Sequence, residues 1–194
     1  MYTHGMDSAE RLIESARELL WERGYVGTSP KAIQQRAGAG QGSMYHHFTG
    51  KPDLALAAIR RSAAELRDQA EAQFAGPGTA YDRIAAYLNR ERDVLRGCRV
   101  GRLVQDPDVI ASPPLREPLH QTLGWLRERI AALVAEGRDN GEFAADLDQD
   151  QVAAALVAVV QGGYVLARAA NSVEPFNQAV SGALAMLRTH QEKA

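Results

Sequence analysis

The sequence predicts an all-α protein of about nine helices. Apolar residues recur three and four positions apart along most of the chain, alanine is abundant, and glycine and proline gather between those runs as breaks. No stretch shows the strict alternation of a half-buried strand. A chain of 194 residues holds one core, or a small unit beside a larger one, and fractions of 45% hydrophobic and 24% charged are ordinary for a globular protein.

A first helix is expected from Ser8 to about Arg23. Asp7 and Glu10 have capping-box spacing, and Leu12, Ile13, Ala16, Leu19 and Leu20 form an apolar stripe. Gly24 stops it, with Tyr25 and Val26 packing back. Ser29 followed by Pro30 opens a short helix whose inner face is Ile33 and Ala37, and Gly38 ends it. A second short helix runs from about Gln41 to His47, anchored inward by Met44 and Phe48. It is too short to stand without neighbours. A fourth starts near Lys51, with Gly50 as cap and Pro52 and Asp53 in its first turn, and continues through Leu54, Ala58, Ile59, Ala63 and Leu66 toward Phe74.

Gly76-Pro77-Gly78 interrupts the chain, and Thr79 caps a helix expected to reach about Arg96, with Ile84, Tyr87, Leu88, Val94 and Leu95 inward. From Gly97 to Pro118 recurrent glycine and proline predict short helical turns and loops. A long helix then carries Leu119, Leu123, Leu126, Ile130, Leu133 and Val134 to Asp139-Asn140-Gly141. Asp148 or Asp150 opens a helix to about Ala170, and Pro175 begins the last, with Phe176, Ala179, Val180, Ala183, Leu184 and Leu187.

Residues 28 to 51 read as a helix-turn-helix. Around its second helix the outward side chains are Gln41, Gly42, Ser43, Tyr45, His46 and His47, a neutral to weakly basic surface rich in hydrogen-bonding groups and suited to the edge of a DNA groove. Glutamine pairs bidentately with adenine, so Gln41 is placed to read a base, and Gly42 lets the backbone approach the groove floor. Ser43, Tyr45, His46 and His47 are candidates for phosphate or sugar contacts, as are Lys51, Ser29 and Lys31. From Thr28 to Arg61 five basic residues stand against the single acid Asp53, while the whole chain carries −2; that asymmetry fits DNA binding confined to one end, with a chance fluctuation of surface charge as the alternative.

The words Gly24-Tyr25, Thr28-Ser29, Ile33, Ala37-Gly38, Gly42 through Phe48, Gly50-Lys51 and Leu54 resemble the TetR (tetracycline repressor) regulators, without a gap over roughly the first sixty residues. The resemblance implies a three-helix DNA-binding domain (1–50), a larger helical effector-binding and dimerisation domain (51–194), and repression released by a small molecule. In relatives the positions matching Lys31, Gln41, Ser43, Tyr45, His47 and Lys51 commonly touch DNA. Ala39-Gly40 stands where many members have a valine and a capping serine, Gln34 where alanine is common, and Pro30 where valine or threonine is common. These departures bear on the base contacts and leave the module intact. The resemblance also makes Phe74, Tyr87, His120, Trp125 and Tyr164 candidates for lining an effector pocket.

The segment from Val152 to Ala170 is apolar nearly all round, so a helix there needs cover on two sides. Together with the last helix it predicts a homodimer interface, with Leu156, Val160, Gly163, Val180, Leu184 and Leu187 as its candidates. A dimer of two modules predicts a palindromic operator in double-stranded DNA. No conspicuous acid or base offers an anchor for a charged effector, which favours an apolar or weakly polar one.

Other classes are disfavoured. The single cysteine, Cys98, excludes an intrachain disulfide and fits a reducing cytoplasm; it reads as a small buried residue at a helix start, with a redox sensor as the alternative. The first residues carry charges and no apolar signal-peptide core, and the most apolar run, Val152 to Val160, falls short of the roughly 18–20 residues a bilayer demands, so no membrane association is expected. His46 and His47 point about 100° apart on a helix, a poor chelate, and no metal or other cofactor is expected. No nucleophile–base pair or phosphate-binding glycine loop suggests an enzyme. An effector-independent architectural protein or activator remains the alternative, with a helical enzyme more remote.

Overall fold

The structure, a computed structural model, describes residues 7–190, which form ten helices and no strand. The first four are α1 (Ser8–Arg23), α2 (Pro30–Ala37), α3 (Gln41–His47) and α4 (Lys51–Phe74). Ser29 caps α2, its Oγ accepting from the Ala32 N–H at 3.2 Å, and Gly38 closes that helix in the left-handed region at φ 60°. The capping box expected at α1 does not form. Asp7 makes no side-chain cap, and the Glu10 carboxylate that would reach back to the Asp7 N–H is taken by the Arg61 guanidinium of α4. That motif appears instead at α5 (Ala80–Asn89), where Thr79 and Asp82 each satisfy the other's backbone N–H.

Two further expectations are corrected. α5 ends at Asn89, not near Arg96. The Arg90 backbone turns extended, residues 90–98 are irregular, and Leu95 is exposed. Arg92 folds back to donate to the Tyr87 carbonyl, the acceptor that residue 91 would serve if the helix continued. Second, α8 (Pro113–Asp139) starts well before Leu119; the short helical turns expected ahead of it are α6 (Arg99–Leu103) and α7 (Pro107–Ala111). Pro113 and Pro114 fill first-turn positions, where a missing N–H costs nothing, so only Pro118 forfeits a helical bond. α9 (Gln149–Ala170) and α10 (Glu174–Arg188) follow, α9 capped by Asp148, which accepts from Asp150 and Gln151 N–H at 3.0 Å each.

The chain divides into two compact units, one comprising the described residues to Glu65 with Arg99–His120, the other Leu66–Cys98 with the described residues from Gln121 onward. In the first, α1 packs on α2, α3 and α6, and Leu12, Ala16, Ile33, Met44 and Leu54 are fully or almost fully buried. Of the two residues expected to pack back after α1, Tyr25 is buried and Val26 is 59% exposed. Asp106 ties the α1–α2 turn to α7: its carboxylate accepts from the Tyr25 N–H (2.7 Å) and Val26 N–H (3.0 Å) while capping α7. Charge also clamps α1 to α4. The buried Arg17 meets Glu14, Glu65 and the Ser62 hydroxyl, and Arg61 meets Glu10 and Glu14.

The second unit is built on one apolar cluster that includes Phe74, Tyr87, Leu126, Phe143, Leu156, Val160, Phe176 and Leu184. Glu142 accepts from the Ala80 and Tyr81 N–H groups at 2.8 Å each, which holds the start of α5. The six residues expected to face a second copy lie inside this unit. Leu156, Val160, Val180, Leu184 and Leu187 are in the cluster, and a Cβ on Gly163 would stand 2.9 Å from the Phe176 ring. The outward apolar residues of these helices include Ala155, Ala158, Gly162, Val165 and Leu166 on α9 and Met186 on α10. The apolar character of α9 all round concealed which side faces home. By length and composition α9 would cross a bilayer, against expectation, yet Ala153, Leu156, Val160, Tyr164 and Ala167 place one side of it in the core.

Candidate nucleic-acid interface and small-molecule cleft

α3 is short, and its N-cap is Gly40, which offers no side-chain cap. Burial of Met44 holds it, and the Gln34 amide donates to the Met44 sulfur at 3.2 Å. Gln34, unusual by the resemblance, therefore braces the helix from within. Gln41, Gly42, Tyr45 (52% exposed), His46 and His47 are exposed, and Ser43 is half-buried. His47 is tethered to α1 through Nε2 and the Ser8 hydroxyl at 2.8 Å. Ser29 and Lys31 are exposed at the start of α2, where the Ser29 oxygen is spent on its cap and its hydroxyl proton remains to donate. All of these residues belong to the first unit.

Lys51 is partly buried, its Nζ 4.0 Å from the centroid of the Tyr25 ring. Burial lowers its pKa and the nearby Asp106 and Asp108 oppose that shift. The local charge asymmetry read from the sequence is smaller in three dimensions. Arg36 pairs with Glu22 at 2.8 Å and Arg61 with Glu10, both acids lying outside the window counted. Lys31 and Arg60 keep exposed charge.

Of the five pocket candidates, Phe74 and Tyr87 stack at 4.9 Å, Tyr164 meets Phe176 at 5.0 Å, and Trp125 packs partly buried on the same cluster. Burial of Tyr164 pushes its phenol up to about 12. His120 is exposed and belongs to the first unit, so it does not join them. The second unit instead opens a cleft of about 280 Å3 beside that cluster, lined by Leu88, Asn89, Arg90, Arg92, Phe176 and Val180. Arginines here contradict the expectation that no charged anchor exists. The sequence signal was present in Arg90 and Arg92, but a helix drawn through residue 96 hid it. Cys98 packs partly buried against the cluster. Among the described residues no group of His, Cys, Asp and Glu is arranged to hold a metal.

A helix-turn-helix on a compact helical unit, joined in one chain to an all-helical unit with its own core, is an architecture of DNA-binding regulators. Residues 12–58 match the family described as bacterial regulatory proteins, tetR family, and residues 79–183 match the tetracyclin repressor-like C-terminal domain. The transcriptional regulator AcuR of Cereibacter sphaeroides is 32% identical over 75% of this chain and 69% of its own. The HTH-type transcriptional repressor NemR of Escherichia coli is 25% identical over 90% and 91%. Among solved structures, a TetR transcriptional regulator from Chloroflexus aurantiacus superposes with a TM-score of 0.86 at 28% identity, covering 96% of this chain and 97% of that one. Reduced E. coli NemR does so at 0.80 and 25%, covering 96% and 98%. The chain belongs to the TetR family of transcriptional regulators, which are DNA-binding proteins and not enzymes.

Proposed function

We propose that this regulator is a cytoplasmic homodimeric repressor that binds a palindromic operator through α3 and is released by a small molecule held in the second unit. The observation that carries the reading is the exposed polar surface of Gln41 to His47 on a helix fixed from beneath by Met44. Gln41 reads a base edge. Ser29, Lys31, Ser43, Tyr45, His46, His47 and Lys51 contact phosphate and sugar, and Gly42 admits the backbone. Lys51 exchanges the Tyr25 ring for a phosphate at little cost, because both partners are within reach of one flexible side chain.

Val165, Leu166 and Met186, each more than half exposed on α9 and α10, support a second copy as the cover of that face. α4 carries Lys51 at one end and Phe74 at the other, and ligand binding that tilts this helix alters the spacing of the two DNA-binding units in the dimer. Linkage requires that effector and operator weaken each other equally.

Fluorescence anisotropy on operator DNA selected from genomic fragments tests the interface. Lys51→Ala is expected to weaken binding to all sequences and lower the salt slope by about 1, while Gln41→Ala costs about 1–3 kcal/mol at the preferred base and relaxes specificity there. Unchanged affinity of Lys51→Ala at every salt concentration removes that residue from the interface. A monomer by sedimentation at micromolar concentration overturns the dimer.

A further inference from the structure

The cleft beside the end of α5 carries a feature that neither folding nor DNA binding uses. Arg90 and Arg92 both line it, and neither faces a carboxylate. Arg90 gives one Nη to the Gln69 side chain at 2.8 Å, and Arg92 gives Nη2 to the Tyr87 carbonyl. Nε of Arg90, and both Nε and Nη1 of Arg92, are buried without a hydrogen-bond partner. Buried N–H groups are satisfied in the great majority of native structures, so three on two adjacent cations ask for an acceptor. The acid that lines the cleft, Glu91, is exposed and makes no ion pair with either. The Arg92 guanidinium also lies 5.3 Å from the Phe176 ring centroid and 5.6 Å from that of Tyr87, which fixes its position. Burial lowers the Arg92 pKa, the penalty of a cation without a counter-charge.

The remaining walls include Leu88, Val94, Val173 and Val180, so the missing acceptor brings an apolar body with it. A volume of about 280 Å3 sits just below the usual range of small-molecule sites, about 300–1,000 Å3. We infer that this cleft binds a small organic carboxylate, its charge on Arg92 with Arg90 in support and its short apolar body against Phe176 and Val180. As the effector site this rests on the reading above and replaces an apolar ligand with an anionic one; as a binding site it stands alone.

Calorimetric titration of the full chain with butanoate, hexanoate and benzoate, each beside its amide, tests the inference, with inorganic phosphate as a further arm. At least one carboxylate is expected to bind, its amide at least 10-fold weaker, and phosphate no better than the amide. Arg92→Met is expected to weaken the carboxylate at least 10-fold while leaving the melting temperature unchanged or higher, and Arg92→Lys to retain part of the affinity. Equal binding of acid and amide, tight binding of phosphate alone, binding undiminished in Arg92→Met, or no binding by any acid at millimolar concentration overturns the inference. Should Arg92→Met fail to fold, the acid–amide ratio and Arg92→Lys decide the matter. A carboxylate that binds through Arg92 yet leaves operator affinity unchanged confirms the site and refutes the effector reading.

Discussion

The arginines of the first unit and those at the cleft of the second are held by different means. Arg17, with a side chain only 9% exposed, is surrounded by Glu14, Glu65 and the Ser62 hydroxyl. Arg92 is half-buried and has two aromatic rings, a backbone carbonyl and unused N–H groups around it. The second unit does make ion pairs, Arg129 with Glu71 and Arg83 with Glu136, but on partly exposed side chains away from the cleft. A cation whose partners are all present fixes two helices; one whose partner is missing makes the site a receptor. The same residue type is thus a staple in one place and a socket in the other.

Removing the two guanidinium groups in turn should separate these roles. Arg17→Met leaves Glu65 unpaired and Glu14 with Arg61 alone, though both acids are exposed enough to rehydrate, and is expected to cost about 1–3 kcal/mol. That is a drop of several degrees in Tm at about 2–4 °C per kcal/mol for a chain of this size. Arg92→Met should leave Tm level or raise it, since it deletes an uncompensated buried charge. Equal losses in thermal denaturation would erase the contrast.

A second contrast is of shape against charge. The second unit packs the Phe176 ring onto α9 at Gly163, with no room for a Cβ. Gly163→Ala is expected to destabilise by about 1–3 kcal/mol through overpacking, and to show as displaced Phe176 ring resonances in NMR; unshifted resonances would mean that the added methyl does not press on the ring. The smallest expected effect concerns acid. Hydrogen bonding from Arg61 holds the Glu10 carboxyl below its ordinary 4.5. A depressed folded value means that its contribution is present above 4.5 and lost as pH falls through the lower folded value. Amide exchange in α1 should therefore quicken over that acid range in the wild type and less so in Arg61→Gln. Identical profiles would show that the clamp adds nothing.

Local signals made much of this legible. Ser29-Pro30 and Gly38 bracket α2, Asp148 opens α9, and the apolar period carries α4 through 24 residues to Phe74, because each rests on chemistry within one turn. The misreadings depended on partners distant in sequence. Glu10 had the spacing of a cap, but Arg61 outcompeted the backbone N–H. No glycine or proline marks the end of α5 at Asn89; the Arg92 side chain replaces the helix there, and with that break the cleft went unseen. The outward side of α9 was chosen wrongly for a related reason. Alanine, valine and glycine on all sides leave the period uninformative, and only Phe176 arriving at Gly163 shows which side is inward.

The Asp106 carboxylate, gripping two successive amides after α1 and starting α7 with its other oxygen, removes a degree of freedom from the loop that presents α2. That loop is thereby tied to the start of α7 through one side chain. Residues 90–94 at the cleft are separated from the 99–111 stretch only by Leu95 to Cys98, a span that includes Gly97 at φ 83°. Along the chain, those four residues are thus a far shorter covalent path from the cleft-lining segment to the 99–111 stretch than the 24 residues of α4.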